Sequence, residues 1–404
     1  MYLLPVAALA MASCSNSDDP IAEVNVPKLA TADQLMIRPA MAGASTRVAK
    51  AYDNAADITS FKLIATGNFL DGSAAGPGDN AYDMSGGIDI TGDGSGSVWN
   101  FPTEHQYVWW GDATTKATFT AYAPTNVPNI NAEQTISNDL DQQLDYIVAY
   151  NEGMKGDFKT GVPLNFQHAT SQIVVKAVNK NTSAVTIKVK GTRMVNVISK
   201  GTLSLPTVAT NGSFSWDNTD YTPWTLGNAT DTYADTYDNA VLLEESNPQV
   251  IGNAQYLLPQ QLTAATTDVE YAAGDTWNKD VTGNAIAFLI QVNDGTNAIY
   301  PVLQEEGATL VSQGYAWAYV PVDTDWQPGR KYTYTINFAE DAYGKVDPNQ
   351  GDEGTPDPKD KTPNDSTDDE PEQKPGEEVK DSPLRLTFTV SVEDWTPMAE
   401  PKNL

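Results

Sequence analysis

Residues 172–189 read QIVVKAVNKNTSAVTIKV, which is two β-branched runs separated by a polar turn. Similar short runs recur at residues 116–123 (KATFTAYA), 285–292 (AIAFLIQV) and 331–338 (KYTYTINF). Several of them alternate apolar and polar residues with period two, which is typical of strands with one buried face. No window of about 12 residues shows the spacing of an amphipathic helix. Many short strands separated by Gly, Asn, Asp and Pro predict an all-β protein built from β-sandwich domains.

The composition narrows the possible functions. A chain of 404 residues is long enough for two domains, each with its own core. Its formal net charge of −29 repels phosphate, so we expect no nucleic-acid partner. A single cysteine excludes an internal disulfide, and only two histidines are present.

The N-terminus resembles a bacterial lipoprotein signal. Residues 2–11 form a short apolar run, and Ala12 and Ser13 precede the single cysteine, Cys14. Small residues before a cysteine suit a lipoprotein peptidase, which leaves an acylated cysteine as the new N-terminus. We therefore predict a signal peptide over residues 1–14 and a lipid on Cys14, which would anchor the chain in the outer membrane at the cell surface. No Lys or Arg precedes the apolar run, and the alternative is a buried free cysteine.

The rest of the chain divides into three parts, the last of which contains a linker and a terminal strand. Residues 15–47 are predicted to be a tether with an N-terminal strand, 48–180 a first β-sandwich domain and 181–404 a second; a boundary just before Val162 is nearly as good. Residues 341–383 hold almost no large apolar side chain, so we expect a disordered acidic linker. Residues 384–392 (LRLTFTVSV) then predict an isolated terminal strand.

No constellation of residues predicts catalysis, a metal site or a cofactor. His105 and His168 lack further ligands at close spacing, so both are interpreted as structural, bonded to a carbonyl or a Tyr. Residues 91–96 (TGDGSG) lack the later carboxylates of a calcium loop and are interpreted as a hairpin turn. Trp109, Trp110 and the Tyr-rich residues 221–237 could stack on sugars, although such aromatics more often fill a core. A surface glycan-binding lipoprotein of a polysaccharide uptake system is therefore the alternative function.

Several blocks together resemble fimbrillin-like proteins. They appear in that family's order, and they cover about residues 47 to 395. The blocks are residues 99–101 (WNF), 107–110 (YVWW), 117–124 (ATFTAYAP), 145–149 (DYIVA), 162–173 (VPLNFQHATSQI), 256–260 (YLLPQ) and 326–336 (WQPGRKYTYTI).

The resemblance implies a lipoprotein precursor of the type V pilus class, with two β-sandwich-like (transthyretin-like) domains. The lack of a catalytic constellation predicts that the protein is not an enzyme. In that family an arginine-specific protease removes the N-terminal segment, including the lipid and the first strand. A strand of the next subunit then fills the groove, a case of β-strand addition. The partners implied are other pilin subunits, with a host or microbial surface as a possible ligand.

Two arginines are candidate processing sites. Arg47 is favoured, and Arg38 is the alternative because Pro39 after it usually blocks cleavage. Equally, Arg47 could be an ordinary solvated residue, in which case Cys14 stays as a permanent anchor. The candidate donor strand carries Leu384, Leu386, Phe388, Val390 and Val392 on one face. We expect it to pair at home in the isolated precursor and to exchange on assembly.

Overall fold

The computed structural model describes residues 33–41, 57–93, 98–127, 129–137, 142–180, 185–221, 224–226, 240–245, 247–264, 283–294, 297–300, 316–340, 345–346 and 384–394. Within these ranges the protein is all-β, as predicted, with short 3-10 turns at Thr103–His105 and Lys155–Asp157 and no α-helix. No helix of the described part is long and apolar enough to cross a membrane.

The first pair of sheets holds most of the strands before residue 170, numbered here along the chain. In spatial order its larger sheet contains β1 (Ile37–Met41), β11 (Val162–His168), β10 (Ile147–Gly153), β8 (Ala117–Ala123), β2 (Ser60–Thr66), β5 (Met84–Gly92) and β6 (Trp99–Asn100). The smaller sheet contains β4 (Gly76–Ala81), β3 (Phe69–Ser73) and β7 (Val108–Trp110). Buried residues of both sheets form one hydrophobic cluster, which we call the first core; it includes Phe61, Phe119 and Phe166.

The second pair of sheets follows. One sheet contains β18 (Gln249–Val250), β12 (Ser171–Asn179), β25 (Arg330–Glu340) and β27 (Leu384–Asp394), with β19 (Gln255–Leu257) also on β12. The other contains β16 (Trp224–Leu226), β13 (Val185–Val197), β21 (Ala285–Asp294), β23 (Ala316–Pro321) and β26 (Lys345–Val346), with β17 (Val241–Leu242) on β13 and β22 (Asn297–Tyr300) on β21. A larger cluster, the second core, lies between these sheets and includes Phe288, Tyr334 and Phe338.

Two smaller sheets complete the fold. They contain β15 (Ser215–Asp217), β14 (Lys200–Ser204) and β9 (Glu133–Thr135), and β20 (Gln260–Gln261) with β24 (Asp325–Trp326). Strand β9 lies between β8 and β10 in the chain, yet it pairs with β14 from beyond residue 180. The two halves of the protein are therefore joined by strand pairing as well as by the chain.

Strand pairing favours a different domain boundary from the one near residue 180. A boundary near residue 180 would put β12 at the end of the first domain, but β12 pairs along its length with β25, and Ile173, Val175 and Ala177 belong to the second core. Strand β11 remains with the first core through Leu164 and Phe166, which argues against a boundary before Val162. We propose that the boundary lies between β11 and β12.

Candidate strand-exchange site

Residues 33–41, which we call the home strand, form the first described segment of the chain and include β1. Leu35, Ile37 and Pro39 are buried, while the residues between them are partly exposed. Leu35 and Ile37 belong to the first core, with 2% and 7% of their surfaces exposed. Burying two such side chains contributes roughly 3–6 kcal/mol. The home strand is therefore a component of the first core and not only a tether.

Backbone hydrogen bonds join the home strand to both sheets of the first pair. On one side, the Leu35 amide donates to Val108 O (2.7 Å), and the Trp110 amide donates to Asp33 O (2.9 Å). From Ile37 onward, β1 runs parallel to β11, and the Val162 amide donates to Met36 O (2.8 Å). The home strand thus connects β7 to β11, and its loss would open an edge of each sheet.

A loop over residues 154–161 holds the home strand at two points, and we call it the clasp loop. The Lys155 ammonium contacts the Asp33 carboxylate, and Arg38 Nη1 donates to Thr160 Oγ1 at 2.7 Å. Phe158 anchors the loop, because its ring packs on those of Trp110 and Phe119 at centroid distances of 6.0 and 5.8 Å. Polar contacts of this exposed kind contribute about 0–1 kcal/mol each. Burial of Leu35 and Ile37 therefore dominates the binding of the home strand.

The parallel pairing shows which way each edge of β1 faces. Because the Val162 amide donates to Met36 O, Val162, Leu164 and Phe166 direct their backbone N–H and C=O groups toward β1. The residues of β1 that lie in register with these three are Ile37, Pro39 and Met41. They therefore direct their backbone polar groups to the outer edge of β1. Pro39 has no N–H and is buried, so it weakens that outer edge as a site for another strand.

The five arginines differ in accessibility to a protease. Arg38 lies within β1 in register with Pro163, and Arg193 is fully buried. Arg330 and Arg385 lie in the paired strands β25 and β27. Arg47, the favoured processing site, and Cys14, the predicted lipidation site, both lie outside the described residues. A cut after Arg38 would leave Pro39 to Met41 on the body of the protein, whereas a cut after Arg47 would separate the whole home strand.

The terminal strand pairs at home. Strand β27 runs antiparallel to β25 over its full length and extends two residues beyond the predicted end at Val392. The register places four of the five apolar residues opposite buried residues of β25, with Leu386 opposite Phe338 and Phe388 opposite Ile336. Ser391, from the alternating polar set, is exposed. Leu384, Val390 and Val392 are opposite Glu340, Tyr334 and Tyr332.

The two histidines occupy polar clusters. His168 and Asp145 are both fully buried, with His168 Nδ1 at 2.9 Å from Asp145 Oδ2. His105 Nδ1 lies 3.0 Å from Asp71 Oδ2, and its ring contacts Tyr82. Burial, followed by the charges of Asp71 and Glu104, raises the pKa of Tyr82. Carboxylates therefore bond both histidines, where the sequence predicted a carbonyl or a Tyr.

The described residues contain no group of three or more His, Cys, Asp or Glu that could hold a metal.

The predicted sugar-stacking residues do not form an exposed platform. Trp109 and Trp110 are 1% and 8% exposed, so both are buried, as the sequence favoured for such aromatics, and the alternative of sugar stacking by this pair is wrong. Most of residues 221–237 lie outside the described part. The TGDGSG segment begins in the last two residues of β5 and leads to β6. The Asp93 amide donates to Val98 O, as expected of the predicted hairpin turn; residues 94–97 are not described. The clasp contacts were not predicted, since Lys155 and Asp33 are 122 residues apart in sequence.

Comparisons with known proteins agree with the sequence blocks. A family model described as fimbrillin-like matches residues 46–351. No curated protein sequence matches the chain. A fimbrial protein from Bacteroides vulgatus is similar in structure, with 13% identity, a TM-score of 0.49, and coverage of 90% of this chain and 100% of its own. A candidate cell adhesion protein from Bacteroides uniformis has 12% identity and a TM-score of 0.40, and covers 90% and 98%. The family match, and not these structures, carries the assignment.

Proposed function

This chain belongs to the fimbrillin-like family, and from that premise we propose that it is a structural subunit of a cell-surface pilus that serves adhesion. The observation that carries the proposal is the home strand. It is a short segment near the N-terminus, it fills part of the first core, and it bridges two sheet edges. A segment of this kind can be removed to leave a groove with unpaired backbone and apolar sites, which another strand can fill.

We further propose export as an outer-membrane lipoprotein acylated at Cys14, followed by cleavage at Arg47. The alternative site, Arg38, is less suitable because it is held within β1 and followed by Pro39. Cleavage at Arg47 would release the lipid together with the home strand and turn an anchored precursor into a subunit that can polymerise. Without cleavage, the same chain would remain attached as a pilus anchor.

Strand β27 is the proposed donor. The prediction of a disordered linker over residues 341–383 is wrong at Lys345–Val346, because these residues form β26 and pair with β23. As a random coil, the remaining residues 347–383, about 37 in number, would have a root-mean-square span of roughly 33 Å, which is enough to reach a neighbouring subunit. Donation requires β27 to leave β25, whose Tyr332, Tyr334, Ile336 and Phe338 are buried in the second core. We therefore expect home pairing in the isolated precursor, and exchange only where a vacated groove offers comparable burial.

The test is to treat the purified precursor with an arginine-specific protease. We expect one N-terminal cut after Arg47, followed by SDS-resistant ladders. Arg47→Gln should abolish both, while Arg38→Gln should leave both intact. A precursor lacking residues 384–394 should still be cut but should form no ladder. A cut precursor that never polymerises would contradict the proposal, and ladders from the truncated chain would show that another segment is the donor.

A glycan-binding role has less support. Its sequence basis is the Trp109–Trp110 pair, which is buried, and the Tyr-rich residues 221–237, most of which lie outside the described part of the chain.

A further inference from the structure

Strand β27 (Leu384–Asp394) lies at the margin of its sheet. Among the described residues its only strand partner is β25, with which it pairs over eleven residues without a register shift. It therefore has no bulge, and it contains no proline or lysine. A long and regular edge of this kind presents a row of backbone N–H and C=O groups, and so it pairs readily with another strand.

The other sheet margins in the described part of the chain are less suited to a further strand. Each of them is formed by strands of six residues or fewer. The two longest are β4 and β1, which contain Pro77 and Pro39. Short strands and proline are the means by which native proteins prevent pairing between sheet edges. Within the described ranges, β27 is the long margin that lacks both.

The sequence of β27 is complementary in charge to a second copy of itself. When two copies run antiparallel with Thr389 opposite Thr389, Arg385 of each copy lies opposite Glu393 of the other. Cross-strand pairs of opposite charge stabilise an antiparallel pair. On β25, the residue in register with Arg385 is Ala339, so β25 offers no carboxylate at that position, whereas Glu393 is in register with Lys331. Moving the centre by one residue in either direction loses both charge pairs.

The same register also matches the apolar positions. It places Phe388 opposite Val390 and Leu386 opposite Val392, each pair occurring twice. Because residues directly opposite each other share one face of a sheet, the apolar positions of both copies fall on the same face of the joined sheet. On that face the residues of β25 in register with them belong to the second core. The two second cores would therefore become neighbours across the joined sheet.

From these observations we propose that β27 of one uncut precursor pairs edge to edge with β27 of a second copy, antiparallel and about a two-fold axis at Thr389. Each copy keeps β27 on its own β25, and the contact is isologous, since both copies present the same edge. One strand pair buries less than the roughly 1,000 Å² of a stable interface, so the pairing is reversible and is lost on dilution. Confinement of lipid-anchored chains to a surface would favour it. The inference goes beyond the proposed function, because it needs neither cleavage nor a pilus.

Disulfide trapping reads this register in the full-length, non-lipidated precursor. The variant Cys14→Ser removes the only native thiol. In that background, Thr389→Cys places a thiol at the two-fold centre, where Cα atoms of opposite residues are about 4.5–5.5 Å apart and a disulfide can form. Thr387→Cys is the matched control, because its two copies lie about 14 Å apart along the strands, beyond the reach of a disulfide. We expect on the order of tenfold more linked dimer from Thr389→Cys than from Thr387→Cys.

A mixture of two variants tests the same register away from its centre. Residue 387 of one copy lies opposite residue 391 of the other, and Ser391 is exposed. Thr387→Cys mixed with Ser391→Cys should therefore give linked heterodimers, although neither variant alone gives linked homodimers.

A charge swap tests the pairs of Arg385 with Glu393. Arg385→Glu, added to the Thr389→Cys variant, places like charges opposite each other and should reduce trapping about fivefold. Glu393→Arg should act in the same direction, and the double variant should restore trapping. Damage to the pairing of β27 with β25 would not be repaired in this way, because the two positions are eight residues apart on one strand.

Three outcomes would overturn the inference. Equal trapping from Thr389→Cys and Thr387→Cys would show random collision and no ordered pair. A double charge variant that traps no better than the single variants would refute the register. No linked dimer from any variant or mixture would refute pairing at the edge of β27. None of these results bears on the pilus function, which is tested separately on the cleaved chain.

Discussion

The substitution Ile37→Ala is expected to shorten the time for which the N-terminal segment stays bound after cleavage at Arg47. Ile37 is 7% exposed and belongs to the first core. Truncating a buried Ile to Ala costs 2–5 kcal/mol in protein cores, and the low end, about 2 kcal/mol, suits a strand at the edge of a sheet. Since about 1.4 kcal/mol corresponds to a tenfold change, the release rate should rise about 30-fold.

The single cysteine provides the assay. A fluorescent dye on Cys14 of a non-lipidated precursor labels only the segment that is released. After protease treatment, the fluorescence anisotropy falls as the short labelled fragment leaves the much larger body, and the rate of that fall is the release rate. The intact precursor should show a lower melting temperature for Ile37→Ala, because the same burial is lost in the uncut protein.

Leu242→Ala is the matched control. It removes an aliphatic side chain that is 53% exposed on β17, away from the home strand. Its release rate should equal that of the unmodified protein. If Ile37→Ala and Leu242→Ala release the segment at the same rate, then burial in the first core does not hold the home strand, and the reasoning fails.

Three further predictions concern the same half of the protein. Lys155→Ala, which removes the ion pair of the clasp loop with Asp33, should speed release by no more than about fivefold, and added salt should abolish the difference in the anisotropy assay. Pro39→Val restores an N–H on the outer edge of β1, so the uncut variant should self-associate on size-exclusion chromatography while the unmodified precursor stays monomeric. Hydrogen bonds from Asn68, Thr115 and Thr114 lower the pKa of Asp112. The ionised carboxylate therefore stabilises the fold above the ordinary Asp pKa of about 3.9, and this contribution is lost as the pH falls below that value. In Asp112→Asn, the melting temperature should fall less between about pH 5 and about pH 2 than in the unmodified protein.

Local pattern was sufficient to predict the strands. The alternation in residues 331–338 predicted a strand that the structure extends to Arg330–Glu340, and residues 285–292 fall within Ala285–Asp294. These segments are recognisable because one face of each strand must be apolar wherever the sheet covers a core. The all-β class follows from the same signal.

Features that depend on distant partners were not predictable in this way. Strand β12 looks like the end of the first domain, because nothing within it indicates that its partner is β25, more than 150 residues later. The general tendency of aromatics to fill a core favoured burial of Trp109 and Trp110, but their partners, such as Phe158 on the clasp loop, were not predictable. The sequence also does not show that β1 runs parallel to β11, because an alternation of apolar and polar residues is the same in either strand direction.

The proposed boundary between β11 and β12 would have a mechanical consequence. Strand β11 forms the edge that the home strand covers, and β12, which follows after two residues, pairs with β25, the partner of β27. The connection is held on both sides, because the Ala169 amide donates to Tyr146 O at 2.6 Å and the Gly329 amide donates to Thr170 O at 2.9 Å. Tension between the place that the home strand fills and the second core would therefore pass along continuous backbone. The weak points under load would be the strand pairs themselves.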